Sequence, residues 1–79
     1  MMNNLDVTVH ERFIKNLKFL LNEKGISQNA FSKEIDKSVT HVNALINGRG
    51  TPTLEFVIKC SQYFNKSIDS LLFSDIEGE

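Results

Sequence analysis

Thr40, Ala44 and Asn47 recur at spacings of four and three, flanked by His41 and Asn43, and form one helical face without an acid. Their chemistry suits base edges. An Asn amide pairs bidentately with adenine N6 and N7, while Thr and Ala methyl groups meet the methyl of thymine. Opposite that face Val42, Leu45 and Ile46 stand at i, i+3 and i+4, a narrow apolar stripe that must turn toward a core. A face that only meets solvent is usually built from Glu and Lys, which are good helix formers. This one carries Thr, His, Asn, Ala and Asn, and that choice points to nucleic-acid contact.

Residues 26–52 supply the elements that must hold such a face. Ser27 is positioned to cap a first short helix, in which Phe31 and Ile35 fall four apart on one side. Asp36, Lys37 and Ser38 break the pattern, and Ser38 can cap the second helix. Beyond it, Gly48-Arg49-Gly50-Thr51-Pro52 is a loop with three strong breakers in five residues. In this arrangement Val39, Thr40, Asn43 and Ala44 are the expected base-edge contacts. Gln28, at the start of the first helix, would meet phosphate through its side chain and backbone N–H. Ser38, His41, Asn47 and Arg49 would hold the phosphates on either side.

Residues 17–72 resemble a Cro/phage-repressor-type helix–turn–helix domain of the XRE-like family of small bacterial and phage regulators. The resemblance rests on Leu17, Leu20, Gly25-Ile26-Ser27-Gln28, Phe31, Ile35, Ser38, Val42, Leu45, Asn47-Gly48, Pro52, Ser67-Ile68-Asp69 and Leu71-Leu72, in order and without a gap. It implies an all-α fold, a compact five-helix bundle of the lambda-repressor-like type, binding operator DNA and usually a symmetric dimer. Residues 39, 40, 43 and 44 match the positions the family uses for base contact. The function it implies is a sequence-specific transcriptional regulator, mainly a repressor acting on a palindromic operator. Alternative roles are an antitoxin or a phage or restriction–modification control protein with a protein partner, or an interaction module that has lost DNA binding.

Departures from the family pattern are informative. Ser32 stands where Ala is usual, Asp36 where Gly is favoured in the turn, and Lys37 where an apolar residue is favoured. Asp tolerates a left-handed backbone better than most residues, so the turn can still form. Family members often pair an Arg late in helix 1 with a Glu before the Asn-Gly; here those positions are Leu21 and Ile46. Both partners have become apolar together, which leaves no stranded charge.

At 79 residues the chain is one small domain, with 41% hydrophobic and 24% charged residues, as in ordinary globular proteins. Its net charge of −1 argues against strong nonspecific DNA binding. Asp69, Asp75, Glu77 and Glu79 crowd the last thirteen residues, however, and residues 1–66 hold nine bases against six acids. Specificity would then rest on base contacts and dimerisation.

For the scaffold, residues 1–7 read as a flexible arm, 8–73 as the DNA-binding domain and 74–79 as an acidic, frayed tail. Thr8-x-x-Glu11 is a capping-box signal that would start helix 1 near Val9, and Gly25 would stop it after Lys24. Phe13, Leu17, Leu20 and Leu21 form its buried stripe, joined by Ile14. Thr53 caps a fourth helix, about 54–64, with Leu54, Val57, Ile58, Ser61 and Phe64 on one face and Phe56, Cys60 and Tyr63 on another. Asn65 ends it, and Ser67 caps a short fifth helix through Phe73. Phe56, Tyr63, Ile68, Leu71, Leu72 and Phe73 exceed what one small core can cover, and they are the expected homodimer interface.

Other chemistries find little support. His10, His41 and Cys60 share no ligand spacing, and the single cysteine allows no intrachain disulfide. Gly48-x-Gly50 follows a helix and not a strand, so it is no phosphate loop. No catalytic residue, cofactor or metal is expected, and no signal peptide or membrane span is read, which makes the cytoplasm the expected location.

Overall fold

The computed structural model describes the backbone of residues 4–78 and the side chains of residues 9–78. Five helices follow in order: α1 (Asn4–Lys24), α2 (Gln28–Glu34), α3 (Val39–Ile46), α4 (Leu54–Phe64) and α5 (Ile68–Phe73). A 3-10 turn at Ile76–Gly78 follows, and the described residues contain no strand. The all-α expectation holds.

Hydroxyls start four of these helices. Ser27, Ser38, Thr53 and Ser67 accept from the amides of Ala30, His41, Phe56 and Ser70 at 3.0–3.1 Å. Each such cap satisfies an otherwise orphaned N–H and contributes about 1 kcal/mol. Left-handed residues do the stopping: Gly25, Asp36, Gly48 and Asn65 have φ of 72°, 60°, 82° and 55°.

Helix α1 is longer than expected. It begins at Asn4 and not near Val9, so Thr8 lies inside it and not at its start. Residues 4–8 contain neither Gly nor Pro, and nothing in them stops a helix from running on upstream of the capping signal. Of the arm expected over residues 1–7, residues 4–7 are helical and residues 1–3 lie outside the described residues.

The core forms between α1 and the remaining helices. Phe13, Leu17, Leu20 and Leu21 meet Phe31 and Ile35 of the second helix, Val42, Leu45 and Ile46 of the third, and Phe56, Val57, Cys60 and Leu71 beyond. Phe13 and Phe56 pack edge to face with centroids 6.1 Å apart, while Phe31 stacks on Phe64 at 5.5 Å. Leu21 and Ile46 are both buried in this cluster, on two helices that touch.

Two C-terminal expectations need correction. Helix α4 turns its Phe56, Val57 and Cys60 side inward and leaves Leu54 and Ile58 70% and 37% exposed. Apolar residues occupy both of its faces, and the side that offers Phe56 to the Phe13 ring wins the core. Consequently Phe56 and Leu71, expected at a dimer interface, are fully buried within this one chain. Tyr63, Ile68 and Leu72 are half-buried against the core, and of the six only Phe73 stands out, at 59% exposure.

Nor does the tail fray. Asn16, 1% exposed on α1, donates its amide to the carbonyls of Leu71 at 2.9 Å and Ser74 at 2.8 Å. Its Oδ1 accepts from the Ile76 amide at 3.1 Å, and the Ile76 side chain is buried. Arg12 pairs with Asp75 at 3.0 Å outside this latch.

Candidate nucleic-acid interface

The turn between α2 and α3 is built from short backbone hydrogen bonds. Asp36 N donates to Lys33 O at 3.2 Å and Lys37 N to Ser32 O at 2.8 Å, the two bonds of a Schellman closure. That closure requires a left-handed residue, and Asp36 occupies the position the sequence departures had marked. Ser32, in place of the family's Ala, is buried without cost to its hydroxyl, which donates to Asn29 O at 2.8 Å. Lys37, in place of an apolar residue, reaches out to Glu55 at 2.7 Å. That contact holds the Glu55 carboxyl below its usual range, although an exposed pair adds little stability. Lys59 donates to Ile35 O at 2.8 Å and ties the same turn to α4.

This turn sets how α3 is presented. Val42, Leu45 and Ile46 face inward as the stripe required, and Thr40, His41 and Asn47 are exposed. Val39, Asn43 and Ala44 are half-buried beside them. After the helix, Gly48 N donates to Leu45 O at 3.1 Å and Arg49 N to Ala44 O at 2.8 Å, a second Schellman turn. It fixes the backbone of Arg49 against the end of the exposed face.

Seven of the nine expected DNA-binding residues thus lie on α3 or at its two caps, with Arg49 immediately after and Gln28 opening α2. Gln28 is half-buried, and its Oε1 is shut off from solvent without a hydrogen-bond partner. The His41 ring leans back toward Phe56, with centroids 6.2 Å apart and planes at 84°, so it is drawn toward the body of the domain. A major groove admits an α-helix, and the closed turns on both sides hold α3 in place.

A family model described as helix-turn-helix matches residues 17–71. The chain belongs to the XRE-like, Cro/phage-repressor-type helix–turn–helix family. This XRE-like domain is accordingly a DNA-binding regulatory module. No curated protein and no solved structure matches it significantly. The second to fourth helices lie within the matched span, α5 runs two residues past it and α1 enters it at Leu17, so Arg12, Asn16, Asp75 and Ile76 of this XRE-like chain all fall outside it.

Charge is distributed unevenly over the domain. Arg12, Lys37 and Lys59 are committed to contacts within the fold, and Lys24 sits 5.0 Å over the Tyr63 ring. Arg49, beside the exposed face, has no such partner among the described residues. Cys60 is fully buried, and burial pushes its thiol up to about 12, so it stays protonated and unreactive at neutral pH. Among the described residues no group of His, Cys, Asp and Glu is placed to hold a metal ion, and no helix is long and apolar enough to cross a membrane.

Sequence reasoning missed the exposure of Leu54 and Ile58 and the role of Asn16. A signal existed for the second: Asn16 is a polar residue set between Phe13, Leu17 and Leu20 on the apolar phase of α1. A buried polar side chain at such a position needs partners, and they had to come from elsewhere in the chain.

Proposed function

We propose that this XRE-like chain is a transcriptional repressor that binds a palindromic operator as a homodimer. The observation that carries this reading is the non-acidic outer face of α3, held between two closed turns and flanked by Gln28 and Arg49. Val39, Thr40, Asn43 and Ala44 read base edges. Gln28, Ser38, Asn47 and Arg49 grip phosphates, and His41 joins them when its ring swings off Phe56. Occupying a promoter is enough to repress it.

Dimerisation keeps Tyr63, Ile68, Leu72 and Phe73 of the surface composition suggested and adds Leu54 and Ile58 in place of buried Phe56 and Leu71. Leu54 and Ile58 stand one turn apart on α4, and with Phe73 they are the exposed large apolar side chains among the described residues. Tyr63, Ile68 and Leu72 are partly covered, packed against the core. Two linked half-site contacts act together at high effective concentration, which offsets the weak phosphate attraction of a chain with net charge −1. Two-fold symmetry sets the reading helices about 34 Å apart, one turn of DNA.

Selection of duplexes from a random pool by the full chain, followed by titration of the winner, tests the reading. A palindromic consensus is expected. Asn43→Ala should then lose roughly 1–3 kcal/mol against the selected site and little against random duplex. No enrichment, or an unchanged affinity for Asn43→Ala, counts against the assigned face. Sedimentation at micromolar concentration examines the dimer, which a strict 9.0 kDa species on and off DNA would rule out.

A further inference from the structure

The salt-dependent part of phosphate affinity comes from cations, and only Arg49 among the expected DNA-binding residues carries a fixed positive charge. A second source lies on α1. Lys15 and Lys18 stand at i and i+3 on an exposed stripe of that helix, with Asn22 one turn further on. These three side chains line an open groove whose opposite wall is Asn47 and Gly48, the turn that ends α3 and leads into Arg49. Ile14 and Ile46 form the apolar floor, and both are buried in the common core, so the two walls are held together rigidly. Neither lysine has an ion-pair partner among the described residues, whereas Arg12, further back on α1, is engaged by Asp75.

We propose that Lys18, backed by Lys15, is a further phosphate-binding element of the DNA interface, continuous with the Asn47–Gly48–Arg49 turn. The inference rests on the DNA-binding reading of α3. A duplex seated on that helix carries its flanking phosphodiesters past Asn47, and the groove leads from there to the Lys18 ammonium. The ligand is a backbone phosphate, recognised by charge and not by sequence. Two acids border the same groove: Glu11, one turn before Lys15, and Glu77 from the C-terminal 3-10 turn. Their repulsion sets the favourable position at the Lys18–Asn22 end, beside the turn.

The test compares Lys18→Gln, Lys15→Gln and Lys66→Gln with the wild-type full chain, on the selected duplex and on random duplex, over a range of salt. Lys66 lies between α4 and α5 and removes the same charge from elsewhere. Lys18→Gln is expected to weaken both duplexes alike, roughly 5–10-fold at about 0.1 M salt, and to lower the log–log salt slope by about 0.9, the share of one phosphate. Lys15→Gln should act in the same direction and less strongly, and Lys66→Gln should leave the slope unchanged. Thermal melts confirm that each variant folds. If the wild type binds and Lys18→Gln matches it, or if Lys18→Gln and Lys66→Gln lose equally, the proposal is overturned while the reading of α3 stands. If the wild type binds neither duplex, both fall together.

Discussion

Helix α1 is joined to the rest of the molecule in two ways. Its C-terminal half meets α3 through an apolar joint, with Leu17, Leu20 and Leu21 on one side and Val42, Leu45 and Ile46 on the other. Its middle meets the end of α5 and the tail through a polar joint, where Asn16 binds Leu71, Ser74 and Ile76 and Arg12 binds Asp75. Apolar contact is non-directional and tolerates exchange of one hydrophobe for another. A buried amide is directional, and each partner it loses is left unsatisfied. Helix α3 therefore hangs on the forgiving joint, and the C-terminal segment after exposed Phe73 hangs on the exacting one.

The largest expected effect breaks the apolar joint. Ile46→Glu puts a carboxylate where a 2% exposed side chain now packs, and should cost about 3–5 kcal/mol or unfold the domain. Adding Leu21→Arg supplies an opposite charge on the touching helix and should recover part of that loss. Urea denaturation of both single variants and the double variant gives the coupling energy. A coupling near zero would show that Leu21 and Ile46 do not share a contact, and the view of this joint would have to change.

Next in size is the polar joint. Asn16→Ala removes the partner of two carbonyls and one amide, all between 2.8 and 3.1 Å, and should cost about 2–4 kcal/mol. The damage should centre on the C-terminal segment, with faster amide exchange at Ile76 than at Val42. A loss below about 1 kcal/mol, or exchange raised equally everywhere, would mean the latch matters no more than an ordinary surface bond.

This contrast also explains what could be read from the residues alone. Ser27, Ser38, Thr53 and Ser67 each bond an amide three residues away, so their caps are written locally. The α3 stripe was equally plain, because its other face has no large apolar residue to compete. On α4 the apolar residues 54, 56, 57, 58, 60, 63 and 64 occupy two faces, and periodicity cannot rank them. Only the position of Phe13 on a distant helix does so. Ile76 sits between Asp75 and Glu77 and reads as part of a polar tail, since its partner Asn16 is 60 residues away. For the DNA interface the sequence named a face, and the fold presents that face together; Lys15 and Lys18 escaped notice because only the packing of α1 on α3 brings them beside Gly48.

The smallest effect concerns the backbone turns in the two regions. Asp36 closes α2 and Asn65 closes α4, both left-handed, with φ of 60° and 55°. An L-residue in that conformation is strained by about 1–2 kcal/mol, less for Asp and Asn, while Gly loses more entropy on folding. Asp36 carries an additional burden, because its carboxylate sits at the negative end of the α2 dipole. Asp36→Gly should therefore stabilise by about 0.5–1 kcal/mol, and Asp36→Ala should destabilise by a similar amount. Asn65→Gly, free of the dipole penalty, should gain less than Asp36→Gly. The two glycine variants lie at separate turns, so their effects should add. Midpoints of urea denaturation resolve these shifts at constant slope. If Asp36→Gly destabilises, the Asp36 side chain is making a contact in the turn that outweighs its backbone strain, and the reading unit is less purely a product of local backbone geometry than its hydrogen bonds imply.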